Sequence, residues 1–238
     1  MIVIFCNIVI ALISLAINPM MVNLIDAFAN DDKITLKGIF SMKKFDVKIG
    51  LITAFLLIAL FFKLGISFQF LIYAFLSIVL IMDAFVDIKA QIIPNGLNFT
   101  CFIVGIIIMY LNLVFDHNTG IDMLLGMFTG AGIFALIALF AFIAYRKEGM
   151  GLGDVKLMGV LGLFFGVLNT IQIFIVSFAI GALVSIVLLI TKVKKSSDYL
   201  AFGPFIVIAS IITMFMPHSV MFPWYVTLIN NFCNLFVK

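Results

Sequence analysis

The stretch VKLMGVLGLFFGVLNTIQIFIVSFAIGALVSIVLLIT, residues 155–191, is almost wholly apolar, and its one charged residue is Lys156. A helix that spans a membrane needs roughly 20 consecutive apolar residues, because the hydrocarbon core is about 30 Å thick. We predict two helices in this stretch, at about 155–168 and 170–191. The first is short, so we expect it to be a half-span or to tilt within a bundle.

The rest of the chain has the same character. Its 238 residues are 65% hydrophobic and 11% charged, which one water-soluble globule could not bury. We therefore predict an all-α, polytopic transmembrane bundle in a single domain, 1–238, because the longest hydrophilic stretch, about 26–48, is too short for a domain of its own. Eight spans are predicted, or seven if the short helix does not cross: about 2–25, 49–65, 67–87, 97–115, 121–145, 155–168, 170–191 and 200–217.

The basic residues indicate the orientation. If the 26–48 loop is cytoplasmic, the inside loops hold twelve of the 14 Lys and Arg residues, and Lys63 and Lys238 remain outside. Cytoplasmic loops of membrane proteins carry such an excess. The amino terminus is then outside, and the net charge of +3 reflects topology and not a nucleic-acid partner.

Both ends of the sequence are predicted to stay with the membrane. Residues 1–25 lack a basic region and a small-x-small cleavage site, so we interpret them as a retained first helix. The tail at 218–238 contains Trp224 beside Tyr225, which suits an interfacial segment on the outer leaflet. A short ninth span is the alternative, and it would put Lys238 inside.

The cysteines do not indicate a metal site. Cys6, Cys101 and Cys233 are far apart in the chain and lie in apolar surroundings, without the spacing of metal ligands. We interpret them as packed thiols and expect no metal.

The eleven acidic residues are few enough to be informative. Four of them, Asp83, Asp87, Glu148 and Asp154, converge on the cytoplasmic side. A carboxylate at membrane depth costs about 2.5–3.5 kcal/mol, so such groups usually face a water-filled cavity and have a function. The alternative for Asp87 is a helix end that reaches the interface beside Lys89. For the other seven we predict solvated loop charge: Asp26, Asp31, Asp32, Asp46, Asp116, Asp122 and Asp198.

Asp154 closes the glycine-rich segment GMGLGD, which contains Gly149, Gly151 and Gly153. Its plain structural role would be the N-cap of the helix that follows. Two carboxyls on neighbouring helices, Asp87 and Asp154, could instead share one proton, so that one activates water while the other polarises a carbonyl. Glycines would let the backbone adopt positive φ and let a peptide approach closely.

Three segments resemble the type IV prepilin peptidases, a family of intramembrane aspartyl proteases. They are VDIKAQIIPN with Asp87, GMGLGDVKL with Asp154 in a GxGD, and AFGPFIVIA at 201–209. The resemblance implies a GxGD aspartyl protease architecture with Asp87 and Asp154 as the catalytic dyad. It also implies loop-shaping or substrate-binding roles for Gly149, Gly151, Gly153, Lys156, Pro94, Asn95, Gly203 and Pro204.

The resemblance also implies a function. The family cuts a basic leader, typically after a glycine, from prepilin or pseudopilin proteins at the cytoplasmic face of the cell membrane, while the substrate's apolar helix stays in the bilayer. Many members carry paired CxxC motifs in the first cytoplasmic loop. The 26–48 loop has no cysteine, so we expect no zinc. Methylation of the product is in doubt, and S-adenosylmethionine would be a cofactor only if methylation occurs.

Two residues fit the family pattern less well. Asp83 lies four residues before Asp87, hence one turn deeper on the same helical face, and has no counterpart in the pattern. We interpret it as a possible modulator of the dyad, a contact for the basic leader, or a solvated cavity wall. Asn23, in NPMMVNLID, is only a loose match to the family's amino-terminal asparagine.

Two other classes of protein compete with this interpretation. Paired intramembrane aspartates also serve proton-coupled transporters, but these acids lie at one face and no inverted repeat is visible. A non-catalytic membrane scaffold is the third class, and the intact dyad positions argue against it.

Overall fold

The computed structural model describes residues 2–30, 45–146, 151–191 and 200–221. Every regular element in these ranges is a helix. The helices are α1 Ile2–Ala29, α2 Val47–Leu64, α3 Phe68–Ala90, α4 Asn95–Phe115, α5 His117–Tyr145, α6 Leu152–Ile190, α7 Gly203–Phe215 and α8 His218–Met221. The all-helical prediction is confirmed. The predicted tail segment from 222 onward, with Trp224, Tyr225 and Lys238, lies outside the described residues.

Helix α6 is two helices joined at Gly166. Gly166 has φ 70° and ψ −179°, which no helix accommodates. A Cβ on Gly130 of α5 would contact both Met158 and Thr170, although these two residues would be about 18 Å apart on one straight helix. The chain therefore turns back at Gly166. The first half, 152–165, is only about 21 Å long, which agrees with the short helix predicted at 155–168.

The helices have the length and surface of membrane spans. Counting α6 as one, six helices in the described part are long and apolar enough to cross a bilayer, and α7 is a shorter apolar helix. With α6 divided at Gly166, the eight predicted apolar helices are all present. Large apolar side chains also cover the outside, such as Phe55 at 76% and Phe115 at 84% exposure. The protein is a multi-pass membrane protein.

The chain divides into two compact units, and the first contains residues 1–101 and 192–207. Here α1, α2 and α3 pack against one another around side chains such as Ile25, Leu60 and Leu76, which are completely buried. Buried Asn18 fixes the start of α2, because its side chain donates to the Asp46 carbonyl at 2.9 Å and accepts from the Asp46 N–H at 3.2 Å.

The second unit contains residues 102–191 and 208–238, and α5 packs on α6 within it. Small residues form the contact: two GxxxG segments, Gly126 to Gly130 and Gly162 to Gly166, meet so closely that a Cβ on Gly162 would overlap the backbone of Gly126. Membrane helices use small residues in this way because close backbone approach increases van der Waals contact. Further along α5, buried Phe134 packs edge-on against Phe174 and Phe178.

Replacing Gly162 with Ala is expected to destabilise the protein by about 1–3 kcal/mol, because the new methyl group meets backbone atoms that cannot rotate away. The measurement is the thermal unfolding midpoint in detergent. Gly132→Ala is the matched control, since a Cβ on Gly132 of α5 has open space around it. An unchanged midpoint for Gly162→Ala would mean that α5 and α6 are not in close contact.

Four of the acids predicted to be solvated loop charge also make contacts, although Asp116 and Asp122 are exposed as predicted. Asp26 lies within α1 and pairs with Lys89 at 2.9 Å. Asp46 caps α2 by accepting the Lys48 N–H at 2.8 Å. Asp122 accepts the Val167 N–H at 3.2 Å, just after the turn at Gly166, and Asp116 accepts from the Thr119 hydroxyl. Asp31, Asp32 and Asp198 lie outside the described residues.

Candidate active site

Asp87 lies in the last turn of α3 and points into the protein. Gln91 ends the helix in a left-handed conformation, φ 55°, and its N–H donates to the Asp87 carbonyl at 2.8 Å. The Asp87 residue is only 5% exposed, whereas the Lys89 side chain is 46% exposed and reaches Asp26. The alternative in which Asp87 merely reaches the interface beside Lys89 is therefore wrong.

A backbone N–H holds the Asp87 carboxyl. Gly203 donates to Asp87 Oδ2 at 2.8 Å, and both groups are buried. Gly203 is the first residue of α7, so the carboxyl meets the end of a helix whose unpaired N–H groups and dipole favour negative charge. A Cβ on Gly203 would lie 2.5 Å from Oδ2. The contact brings two of the predicted segments together within the first unit.

The neighbouring prolines and asparagine shape the backbone around this contact. Pro204 is the second residue of α7, where the absence of an N–H costs no helical hydrogen bond. Pro94 is buried and its carbonyl accepts the Asn98 N–H at 3.2 Å, which starts α4. Asn95 is exposed as the first residue of that helix. Pro94 thus ends the loop that follows Asp87, Asn95 begins the next helix, and Pro204 belongs to the helix whose first N–H binds Asp87.

Asp154 belongs to the second unit, at the beginning of α6. The N-cap of that helix is Gly151, and Asp154 lies in the first turn with its N–H donating to the Gly151 carbonyl at 3.1 Å. The N-cap interpretation of Asp154 is thus wrong, because the N-cap is Gly151, three residues earlier. A carboxylate in the first turn is still favoured by the helix dipole. The Asp154 residue is half-buried.

The other residues of the GxGD segment are ordinary in conformation. Gly151 is extended, with φ −68° and ψ 136°, and Gly153 is helical. Positive φ was expected here, but in the described residues the only glycines that adopt it are Gly65 and Gly166. A Cβ on Gly151 would stand 3.5 Å from Asp154 Oδ2. Lys156 is exposed, and Gly149 and Glu148 lie outside the described residues.

The comparisons with known proteins place this site in a family. The profile described as "Type IV leader peptidase family" matches residues 73–186, a range that includes both Asp87 and Asp154. The leader peptidase HopD of Escherichia coli is 32% identical over 60% of this chain, and the match covers 88% of that protein. The chain belongs to the type IV leader peptidase family.

This chain matches only part of the length of other family members. The prepilin leader peptidase/N-methyltransferase of Legionella pneumophila is 28% identical over 68% of this chain and 55% of its own length. The protein of the same name from Aeromonas hydrophila is 29% identical over 75% of this chain and 60% of its own length. The chain thus spans little more than half of these relatives. No solved structure matches it.

Family membership confirms the resemblance found in the sequence and argues against the transporter interpretation. The individual site residues stay predictions. So does the absence of zinc and of S-adenosylmethionine, although across the described ranges no three His, Cys, Asp or Glu side chains lie together as metal ligands would. Cys6 and Cys101 are free thiols, and Cys233 lies outside the described residues.

Sequence reasoning identified Asp83 as a possible modulator but missed a second buried polar residue, Asn98. Asp83 is 2% exposed and Asn98, on α4, is 4% exposed. Within the described structure no hydrogen-bond partner is found for Asp83 Oδ1 or for either polar atom of the Asn98 side chain. The one signal for Asn98 in the sequence was an amide four residues after Pro94, in a helix that is otherwise largely apolar.

Proposed function

We propose that the protein is a leader peptidase for prepilin or pseudopilin substrates, an intramembrane aspartic endopeptidase whose catalytic residues are Asp87 and Asp154. The observation that carries the proposal is the buried Asp87 carboxyl, held at 2.8 Å by the Gly203 N–H at the start of α7, in a chain of the leader peptidase family. A carboxyl buried and oriented in this way is suited to chemistry more than to stability.

In the proposed reaction one aspartate is ionised and the other carries a proton. The ionised carboxylate takes a proton from water as the water oxygen attacks the carbonyl carbon of the peptide bond, and the protonated partner donates its proton to the carbonyl oxygen. When the resulting tetrahedral intermediate collapses, the C–N bond breaks, the first aspartate passes its new proton to the nitrogen, and the second recovers a proton from a hydroxyl of the intermediate. The products are a free carboxyl on the leader and a free amine on the mature protein.

The protein's own residues would orient these groups. Gly203 engages Oδ2 of Asp87, which fixes the plane of the carboxyl and leaves Oδ1 for the reaction. Asp154 lies in the first turn of α6, where the helix dipole stabilises its ionised form. The Asp87 carboxyl also meets a helix N-terminus, so either aspartate can act as the ionised base while the other donates the proton.

The proposed location is the cell membrane, with the site facing the cytoplasm. Twelve of the 14 basic residues are on the cytoplasmic side in this topology. The substrate's apolar helix would remain in the bilayer while its basic leader reaches the site from the cytoplasm. Substrate-binding or loop-shaping roles are proposed for Pro94, Asn95, Gly151, Gly153, Pro204 and Lys156.

Cleavage of a prepilin-like protein tests the proposal. Co-expression with a substrate that has a basic leader ending in Gly, followed by an apolar helix, is expected to yield a product shorter by the leader on a gel. A substrate with that Gly replaced by Val is the matched control and should stay uncut. Proton flux into vesicles without any cleavage would support the transporter class instead.

The same product answers the question of methylation. HopD, of whose length this chain covers 88%, is named a leader peptidase, and the two longer relatives are named prepilin leader peptidase/N-methyltransferase. We propose peptidase activity without a bound zinc ion. The mass of the first residue of the mature product measures whether a methyl group has been added.

A further inference from the structure

Asp83 and Asn98 form a group of buried polar atoms that the proposed reaction does not use. Asp83 lies one helical turn from Asp87 on α3, and it is within electrostatic range of both Asp87 and the Cys101 thiol of α4. The buried face of α4 that contains Cys101 therefore lies next to Asp83.

Asn98 shares that face of α4 with Cys101. It lies three residues, or about one helical turn, closer to the loop 91–94 that joins α3 to α4. On α3, Asp87 is likewise one helical turn closer to this loop than Asp83 is. Asn98 thus lies on the side of Cys101 that is nearest to Asp87.

Three polar atoms in this group are buried without a protein partner: Asp83 Oδ1, Asn98 Oδ1 and Asn98 Nδ2. An unsatisfied buried polar group costs about 1–3 kcal/mol. Native proteins usually satisfy such groups with ordered water, which makes about three hydrogen bonds when buried. Two acceptors and one donor, or a carboxyl hydroxyl in place of one acceptor, match what a single water molecule can bind.

We propose that Asp83 and Asn98 form a water-binding pocket one turn from Asp87, and that both are positioning residues that hold the Asp87 carboxyl in its reactive orientation. The inference rests on the proposed peptidase function, and it assigns a role to the two buried side chains that the dyad leaves unexplained. Gly203 holds the same carboxyl from α7, by donating its N–H to Asp87 Oδ2.

A double-mutant cycle tests the pocket, with Asp83→Leu, Asn98→Leu and the double variant. Each single change leaves the other side chain buried with one partner fewer, so we expect each to lower the thermal unfolding midpoint in detergent. The double variant removes all the polar atoms and is expected to recover most of that loss, because an apolar pair needs no water. This measurement does not depend on cleavage.

The same variants are then assayed with a synthetic peptide that has a basic leader ending in Gly and an apolar helix. Each single variant is expected to lose roughly 30-fold in kcat with little change in KM, less than the about 100-fold that a 1 Å misplacement can cause. The kcat of the double variant should be as low as that of a single variant, although its unfolding midpoint has returned. Asp83→Asn keeps the shape and the hydrogen bonds, and is expected to stay within about threefold of wild type.

Ser77→Ala is the matched control. Ser77 is a completely buried polar residue of the same helix, and its hydroxyl donates to the Tyr73 carbonyl at 2.6 Å. The Ser77→Ala substitution should lower the unfolding midpoint slightly and leave kcat unchanged. Additive stability losses in the cycle would show that Asp83 and Asn98 share no pocket. A kcat that returns together with stability in the double variant would show a purely structural role. Asp87→Asn in the same assay reports separately on the peptidase function.

Discussion

Replacing either Asp87 or Asp154 with Asn is expected to lower the rate of leader cleavage by at least about 1,000-fold, the upper part of the range that acid–base catalysis contributes. Asn has the shape of Asp, and at position 87 its amide oxygen can still accept the Gly203 N–H. What Asn cannot do is exchange a proton at neutral pH. The loss should therefore appear in kcat, with the unfolding midpoint close to that of wild type.

Cleavage is measured by the appearance of mature product over time with purified variants at equal concentration. Asp26→Asn is the matched control, because the Asp26–Lys89 pair is partly solvent-exposed and surface pairs contribute only about 0–1 kcal/mol. It should cut at nearly the wild-type rate. If Asp87→Asn or Asp154→Asn also cuts at that rate, the assignment of the catalytic pair is wrong.

Gly203→Ala is expected to lower kcat by roughly 100-fold. The methyl group would lie 2.5 Å from Asp87 Oδ2 and 3.1 Å from its carboxyl carbon, so the carboxyl has to move away and lose the N–H that orients it. A shift of about 1 Å in a reacting group can have an effect of this size. Single-turnover cleavage of the synthetic substrate separates this loss of rate from any loss of binding.

The outcome is interpreted against Gly132→Ala, which adds the same methyl group where nothing lies within 4 Å. That variant should cut normally and be no less stable, since Ala is the better helix former. Gly203→Ala with a wild-type rate and pH dependence would mean that the hydrogen bond to Asp87 does not orient a catalytic group.

The helices could be predicted from the sequence because membrane thickness sets their length. Eight apolar runs gave eight helices, with ends that mostly differ by a few residues. Even the division near 168 is correct, because Gly166 breaks α6 into two helices. A signal that was present but not used is the pair of GxxxG segments, Gly126 to Gly130 and Gly162 to Gly166, which is typical of closely packed membrane helices.

The partners of individual side chains could not be predicted in this way. Lys89 pairs with Asp26, 63 residues away, and Val167 with Asp122, 45 residues away, and no local pattern encodes such distances. The N-cap of α6 was ambiguous for a different reason, since Gly and Asp are both good N-caps and Gly151 and Asp154 each precede the apolar run. Asp87 was found from its depth and motif, whereas its burial and its bond to Gly203 required the folded chain.

The bond between Gly203 and Asp87 has a consequence for how this site can change in evolution. Its donor is a main-chain amide, which every residue except proline possesses, so no substitution of a neighbouring side chain deletes it. As long as Asp87 itself is kept, the bond is lost by adding atoms at position 203, where a single methyl group already intrudes on the carboxyl. Residues around Asp87 should therefore tolerate substitutions that change polarity but not substitutions that add volume. The strictest size limit should be at Gly203, which has no side chain.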